Sequence, residues 1–155
     1  MDSEKDESVW SNMEKWFAKR TAQNSCPYLI DHIRPTDRIL DVGCGVGTIT
    51  TSLAKLVPQG NVVGIDIAQP SLAKAATMAR SLGISNVHFQ QANAKELQQH
   101  FDKSSFDVIH SHNTLMHIDD PVRALREQRA LLKDGGFLAA RVRCSCSPHA
   151  AEGLW

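Results

Sequence analysis

The stretch Leu40-Asp41-Val42-Gly43-Cys44-Gly45-Val46-Gly47-Thr48 decides the fold. It closes the apolar run Arg38-Ile39-Leu40-Asp41-Val42 and opens into Thr48-Ile49-Thr50-Thr51-Ser52-Leu53-Ala54. That order reads as a strand, a glycine turn and the start of a helix. Glycine at 43, 45 and 47 leaves room for a ligand to lie against the backbone. The helix that follows presents unpaired N–H groups at its start. Asp66 lies 25 residues after Asp41, at the end of a second apolar run, Val62-Val63-Gly64-Ile65. A carboxylate about 20 positions past a glycine loop is placed to accept hydrogen bonds from a ribose. Loop and carboxylate together point to a nucleoside ligand.

Outward from this stretch, strands and helices alternate. Strands are expected at about 38–42, 61–66, 87–91, 106–111 and 136–142, and helices at about 47–57, 70–82, 94–100 and 121–133. A further helix is expected at about 26–32, before Pro35-Thr36-Asp37 breaks the chain. Runs such as Phe106-Asp107-Val108-Ile109 are apolar with little alternation, as in strands covered on both faces. Gly83 and Gly135 stand where helices should end, and Asp120-Pro121 where one should begin. The pattern predicts an α/β fold with a doubly wound, Rossmann-like parallel sheet of about five strands. Ligands of such sheets lie beyond the carboxyl ends of the strands. The glycine loop, Asp66, Asn93 and Ser111-His112-Asn113 all follow strand ends and so converge on one crevice.

At 155 residues the chain has the length of one domain, and 42% hydrophobic residues are enough for a core. A net charge of zero gives no signal for nucleic acid or a charged membrane surface. No apolar run approaches the roughly 20 residues of a membrane span. The charged start Met1-Asp2-Ser3-Glu4-Lys5-Asp6-Glu7 does not read as a secretory leader. Cys26, Cys44, Cys144 and Cys146 are scattered, which fits reduced thiols and a cytoplasmic location. Cys144-Ser145-Cys146 with His149 has neither zinc-ligand spacing nor a fourth ligand, so no metal site is expected.

Two features choose between nucleoside ligands. Thr48 takes the place of the third small residue in the dinucleotide fingerprint, which weakens a nicotinamide reading. Asp41 adds a carboxylate at the loop, which suits an ammonium or sulfonium better than a pyrophosphate. Asp41-Val42-Gly43-Cys44-Gly45-Val46-Gly47 resembles motif I of the class I S-adenosylmethionine-dependent methyltransferases. Val63-Gly64-Ile65-Asp66-Ile67 is similar to the acidic strand-2 motif, and Gln91-Ala92-Asn93-Ala94 to the adenine-side motif, with Asn93 in place of the usual Asp. Phe106 to His112 resembles the strand-4 motif, and Leu131-Leu132-Lys133-Asp134-Gly135-Gly136-Phe137-Leu138 the turn into strand 5. The likeness runs over about residues 20–142 and is nearest to the ubiquinone/menaquinone-biosynthesis-like branch.

The resemblance implies S-adenosyl-L-methionine as cofactor and a small molecule as methyl acceptor. Gly43, Cys44 and Gly45 would line its methionine part, and Asp41 would hold the loop and face the amino group. Asp66 would take the ribose hydroxyls, Ile67 would pack on adenine, and Asn93 with Ala94 would meet its polar edge. His112 and His117 follow strand 4 and are candidates for a catalytic base, with Asn113 as a substrate contact; His110, inside the strand, reads as structural. Cys44 has no basic neighbour in sequence and does not read as a nucleophile.

Four segments are expected: a disordered 1–8, N-terminal helices over 9–34, the core over 35–142 and an irregular tail over 143–155. The stripe Trp10, Met13, Trp16 and Phe17 has helical spacing and suits either core packing or a lid over the crevice. The family continues after strand 5 with a helix and antiparallel strands. Here the chain reads as truncated, leaving strand 5 as an exposed edge through which copies could associate. A non-catalytic binding or partner protein on the same core is therefore the second reading, and a nicotinamide-dependent oxidoreductase the third.

Overall fold

A computed structural model describes residues 19–143 and the backbone of residues 152–154. Its strands are β1 (Arg38–Val42), β2 (Asn61–Asp66), β3 (Val87–Gln91), β4 (Phe106–His112), β5 (Leu132–Arg141) and β6 (Glu152–Leu154). Its helices are α1 (Ala22–Ser25), α2 (Pro27–Ile30), α3 (Thr48–Leu56), α4 (Gln69–Ser81) and α5 (Pro121–Leu131), with 3₁₀ turns at Leu97–Gln99 and Leu115–His117. The sheet order is β3-β2-β1-β4-β5-β6. The pairs among β1 to β5 are all parallel, as the Rossmann-like expectation requires. The stripe Trp10 to Phe17 and the Cys144, Cys146 and His149 cluster lie outside the described residues.

Both faces of the sheet are covered, which is why the strands run apolar without alternation. Ile39, Val62, Val108 and Ala139 point to one face, where they meet Leu29 of α2 and Ile49 and Leu53 of α3. Leu40, Val42, Ile65 and Ile109 point to the other, against Leu97 and Leu131. Helix α3 opens with the β-branched run Thr48-Ile49-Thr50-Thr51, which has modest intrinsic helix preference. Burial of Ile49 and Leu53, one turn apart, sets it instead. Helix α5 starts as its sequence predicts: the Asp120 carboxylate accepts from the Arg123 N–H at 3.0 Å, and Pro121 takes the first position.

Several expected elements differ. The helix expected at 26–32 is the single turn α2, and α1 is a separate turn just before it, because Pro27 at the start of α2 has no N–H to continue α1. The helix expected at 94–100 is a 3₁₀ turn, since the Asn93 side chain accepts from Lys95 N–H at 3.0 Å and turns the chain locally. Leu97 is the buried apolar residue of that turn. Helix α5 ends at Leu131, ahead of Gly135, because Leu132 already pairs with Phe106. The ladder then shifts register between Phe106 and Val108, so β5 begins before residue 136. The Lys133 ammonium, 2.9 and 3.0 Å from the Asp107 carboxylate oxygens, ties the irregular stretch to β4.

The tail expected to be irregular contains β6, antiparallel to β5 through Ala139–Leu154, Ala140–Gly153 and Arg141–Glu152. A C-terminal antiparallel strand is thus present, and the β5 edge is covered over Ala139–Arg141 rather than open for association between copies. Glu152-Gly153-Leu154 carries no strand pattern of its own; the unpaired groups of the β5 edge supply the template.

Gln128 of α5 is wholly buried, and neither its Oε1 nor its Nε2 has a hydrogen-bond partner among the described residues. A buried unsatisfied amide costs about 1–3 kcal/mol. Gln128→Leu is therefore expected to stabilise the fold by about 1 kcal/mol or more, read as a higher urea midpoint. An unchanged or lower midpoint would show that the amide is satisfied in solution.

Candidate functional site

The strand order reverses between β1 and β4, and a crevice opens there beyond the strand ends. It has a volume of about 870 Å³, within the range of small-molecule sites. The glycine loop, Asp66 with Ile67, the Asn93 and Ala94 segment, and His112 to Thr114 all line it. The structure therefore brings together the four strand-end regions on which the sequence converged.

The loop is stitched to β2. Gly43 and Cys44 both donate N–H bonds to the Ile65 carbonyl, at 2.8 and 2.9 Å. Gly45 donates to Asp66 Oδ2 at 2.8 Å. The three glycines have different reasons to be glycine. A Cβ on Gly43 would collide with Thr114, and one on Gly47 with Ala75 and Phe89. A Cβ on Gly45 would meet nothing within 4 Å, so this is the glycine that faces the open crevice. Its φ of +53° is left-handed, which costs a non-glycine residue about 1–2 kcal/mol. Gly45→Ala is expected to fold with that modest loss and to weaken ligand binding more than stability, because its methyl projects where a ligand would lie. Calorimetric titration and urea unfolding of the same preparation separate the two effects; equal binding by mutant and wild type would place the ligand elsewhere.

Asp66 is half-buried and held in place. Its Oδ2 accepts from Gly45 and its Oδ1 from the Ala68 N–H at 2.9 Å. An ionised carboxylate has about four acceptor directions, so about two remain for a ligand. Beside it Ile67 is 71% exposed, a large apolar surface at the crevice wall. Asn93 and Ala94 form the same wall further along.

Asp41 lies deeper, at 3% exposure. Its Oδ2 accepts from the Thr50 hydroxyl at 2.6 Å, and its Oδ1 sits 3.1 Å from His110 Nδ1. Thr50 belongs to α3, so Asp41 clamps the helix that follows the glycine loop. Both of its oxygens are engaged inside the protein, and any contact with a ligand amino group must share them. His110 is wholly buried and pairs in register with Asp41 across β1 and β4. Burial pulls its pKa down, but the Asp41 carboxylate and the Cys26 side chain outweigh it and raise the pKa to about 9. Cys44 is also settled: burial, with Asp41 and Asp66 nearby, drives its thiol pKa upward, so it stays protonated and is no nucleophile.

His112, Asn113 and His117 all line the crevice, His117 from the exposed turn after β4. Burial, then the positive neighbours His110, Arg20 and Arg141, lower the His112 pKa to about 4. His112 is therefore neutral at pH 7. Asn113 has a left-handed φ of +56°, accepts from the Arg143 N–H at 2.9 Å and donates its own N–H to the Arg141 carbonyl at 2.7 Å. It works as a clasp between the ends of β4 and β5.

Sequence reasoning missed several lining residues. Arg20 and Arg143 come from opposite ends of the described chain. Thr114 donates its hydroxyl to the Val42 carbonyl at 3.0 Å, joining the β4 exit to the β1 exit. Lys95 and Asp119 form an ion pair of 2.7 Å at the rim. A collision partner for Gly43 was the one signal available for Thr114, and it required knowing that β1 and β4 are neighbours.

Comparison with known proteins identifies the family. A family described as a methyltransferase domain matches residues 33–152. An uncharacterized methyltransferase of Schizosaccharomyces pombe is 37% identical over 86% of this chain and 49% of its own length. The ubiquinone/menaquinone biosynthesis C-methyltransferase UbiE of Vibrio parahaemolyticus is 42% identical over 68% of this chain and 40% of its own. The solved YcgJ protein of Bacillus subtilis superposes with a TM-score of 0.70 at 28% identity, covering 77% of this chain and 50% of that one. The chain spans less than half the length of these two curated relatives.

Proposed function

Because this chain belongs to the methyltransferase-domain family, we propose that its crevice binds S-adenosyl-L-methionine and that a small-molecule acceptor receives the methyl group. The observation that carries the reading is Asp66: a carboxylate fixed by two backbone N–H groups, with acceptor directions left over, beside an open glycine and an exposed Ile67. That set suits a ribose diol, a chain lying on the loop backbone and a flat apolar base. Its donor chemistry is that of a nucleoside with an amino-acid side arm.

When bound, the cofactor supplies a methyl group on a positively charged sulfur, open to in-line attack by a nucleophile. The protein's task is alignment and exclusion of water. Asp66 holds the ribose, and Gly43, Cys44 and Gly45 present backbone to the methionine arm. Ile67, Asn93 and Ala94 wall the adenine. Asp41 keeps α3 and the loop in register through Thr50. His112, neutral at pH 7, orients the acceptor by hydrogen bonding and is too weakly basic to take a proton from a hydroxyl. His117, exposed at the mouth, is the residue placed to take a proton where the acceptor must lose one. Asn113 contacts the acceptor beside them.

S-adenosylhomocysteine should bind saturably at one site per chain in calorimetric titration. Labelled S-adenosylmethionine should then pass its methyl group to one of a panel of small-molecule acceptors. No saturable binding, with tight nicotinamide dinucleotide binding instead, overturns the proposal. A cytoplasmic location is supported by Cys26 and Cys44, both unpaired thiols.

A further inference from the structure

Asp41 lines the crevice at the exit of β1, next to the glycine loop, yet it is only 3% exposed. A carboxylate so placed needs a countercharge. His110 supplies one from β4, behind the cavity wall. It is wholly buried, and its Nδ1 stands 3.1 Å from Asp41 Oδ1. The proton on Nδ1 is thus committed to Asp41. The other ring nitrogen, Nε2, has no hydrogen-bond partner among the described residues. A proton there has no comparable acceptor and is the first to leave. The titratable groups that act on the ring are Asp41 from β1, the thiol of Cys26 between α1 and α2, and His112 on β4, its ring centroid 6.3 Å away. Arg20 and Arg141 act on His112 in turn. From α3 the uncharged Thr50 meets Asp41, and from β5 Ala139 pairs with His110. Burial opposes the charged form of His110, and Asp41, then Cys26, restore it.

The other carboxylates of the cavity are placed for other work. Asp119 is paired with Lys95 at the rim, and Asp66 ends β2, under the ribose. A ligand arm that lies along Gly43 to Gly45 and carries a positive amino group therefore meets Asp41, which a cation already holds. One carboxylate cannot neutralise two cations, and each lowers the proton affinity of the other. The ring gives way, because burial opposes its charge while the ligand's ammonium faces the open crevice.

We propose that His110 is a positioning residue for the cofactor: it neutralises Asp41 in the unliganded protein, and it gives up its Nε2 proton to solvent when the ammonium of S-adenosyl-L-methionine or S-adenosylhomocysteine takes its place. No bond but Nε2–H breaks, and one positive charge replaces another beside Asp41. The proton on Nδ1 stays, so Asp41 keeps its bonds to His110 and Thr50 and its hold on α3. The inference rests on the reading of the crevice as the cofactor site and adds that its occupancy is coupled to pH.

The test is NMR of the histidine ring nitrogens in the full chain at pH 8, below the pKa of about 9 that His110 carries without ligand. S-adenosylhomocysteine should convert the His110 ring from the doubly protonated form to the neutral form with its proton on Nδ1. The deaminated analogue should bind and leave the ring charged. Affinity for S-adenosylhomocysteine should rise several-fold from pH 7 to pH 8, since binding releases a proton, and affinity for the analogue should stay level. His110→Gln, whose amide can still donate to Asp41, identifies the ring signals and should remove the pH dependence. If that variant does not fold, the wild-type ring signals with the two ligands decide alone. A ring that stays charged with S-adenosylhomocysteine bound, or that loses its proton equally to the deaminated analogue, overturns the inference and leaves the cofactor reading standing. Wild-type pH dependence in His110→Gln overturns it as well. Absence of any saturable S-adenosylhomocysteine binding overturns both.

Discussion

Asp41→Ala is expected to destabilise the fold by about 3–5 kcal/mol, the cost of breaking a buried charged pair by removing one member. His110 has no exposure, and its other ring nitrogen, Nε2, has no hydrogen-bond partner by distance among the described residues. Losing Asp41 leaves it to shed its proton or carry a buried charge unpaired. Thr50 loses its acceptor at the same time, which loosens α3 just after the glycine loop. Urea unfolding measures the loss, and a change under about 1 kcal/mol would show the pair to be an ordinary neutral hydrogen bond.

The same pair sets the pH dependence. The folded pKa of His110, about 9, lies above its unfolded value near 6.5. Its contribution is therefore full below pH 6.5 and is lost as pH rises toward 9. His112 works in the opposite direction: its folded pKa of about 4 means that stability is lost as pH falls from 6.5 toward 4. The two histidines, with ring centroids 6.3 Å apart, predict a maximum near pH 6.5. The alkaline limb should flatten in Asp41→Asn. Wild-type stability that stays level from pH 6.5 to 9 would remove the charged form of His110 from the account.

Asp66→Ala is expected to weaken S-adenosylhomocysteine binding by about 100-fold or more. Hydrogen bonds to a charged acceptor are each worth about 1.5–3 kcal/mol, and the ribose would lose two of them. Part of the effect is indirect, because Gly45 and Ala68 lose the acceptor that fixes the loop against β2. Asp66→Asn should fall between the two, since its one carbonyl oxygen cannot serve both backbone donors and both hydroxyls. Titration calorimetry reads the affinities directly, and an Asp66→Ala protein with wild-type affinity would move the ribose off β2.

Much of the fold was legible in the chain. The first three strands lie where the sequence pattern predicts them, at 38–42, 61–66 and 87–91. These signals are local: a strand covered on both faces is a short apolar run, and the turn after it needs glycine or polar residues whatever lies elsewhere. Misread elements share the opposite property. Helix α5 stops at Leu131 because of Phe106, and β6 forms because β5 offers an edge. In both cases the deciding partner is remote in sequence, and local propensity is silent about it.

The site divides in the same way. Gly45, Asp66 and Ile67 carry their role in spacing, since each follows a strand end and a parallel sheet gathers those ends along one rim. Asp41 was picked out by its place before the loop, yet its partner, His110, lies 69 residues away and is set by the β1–β4 register. Arg20 and Arg143 line one crevice although they are far apart in the chain, and the segment after Arg20 is braced on β5 by the Arg141–Ser25 hydrogen bond. The chain by itself determined a parallel sheet with a nucleoside crevice, because strand length, glycine position and carboxylate spacing act within a few residues. Tertiary structure alone decided which charges share that crevice, because strand register and helix docking set distances between groups that the backbone path keeps far apart.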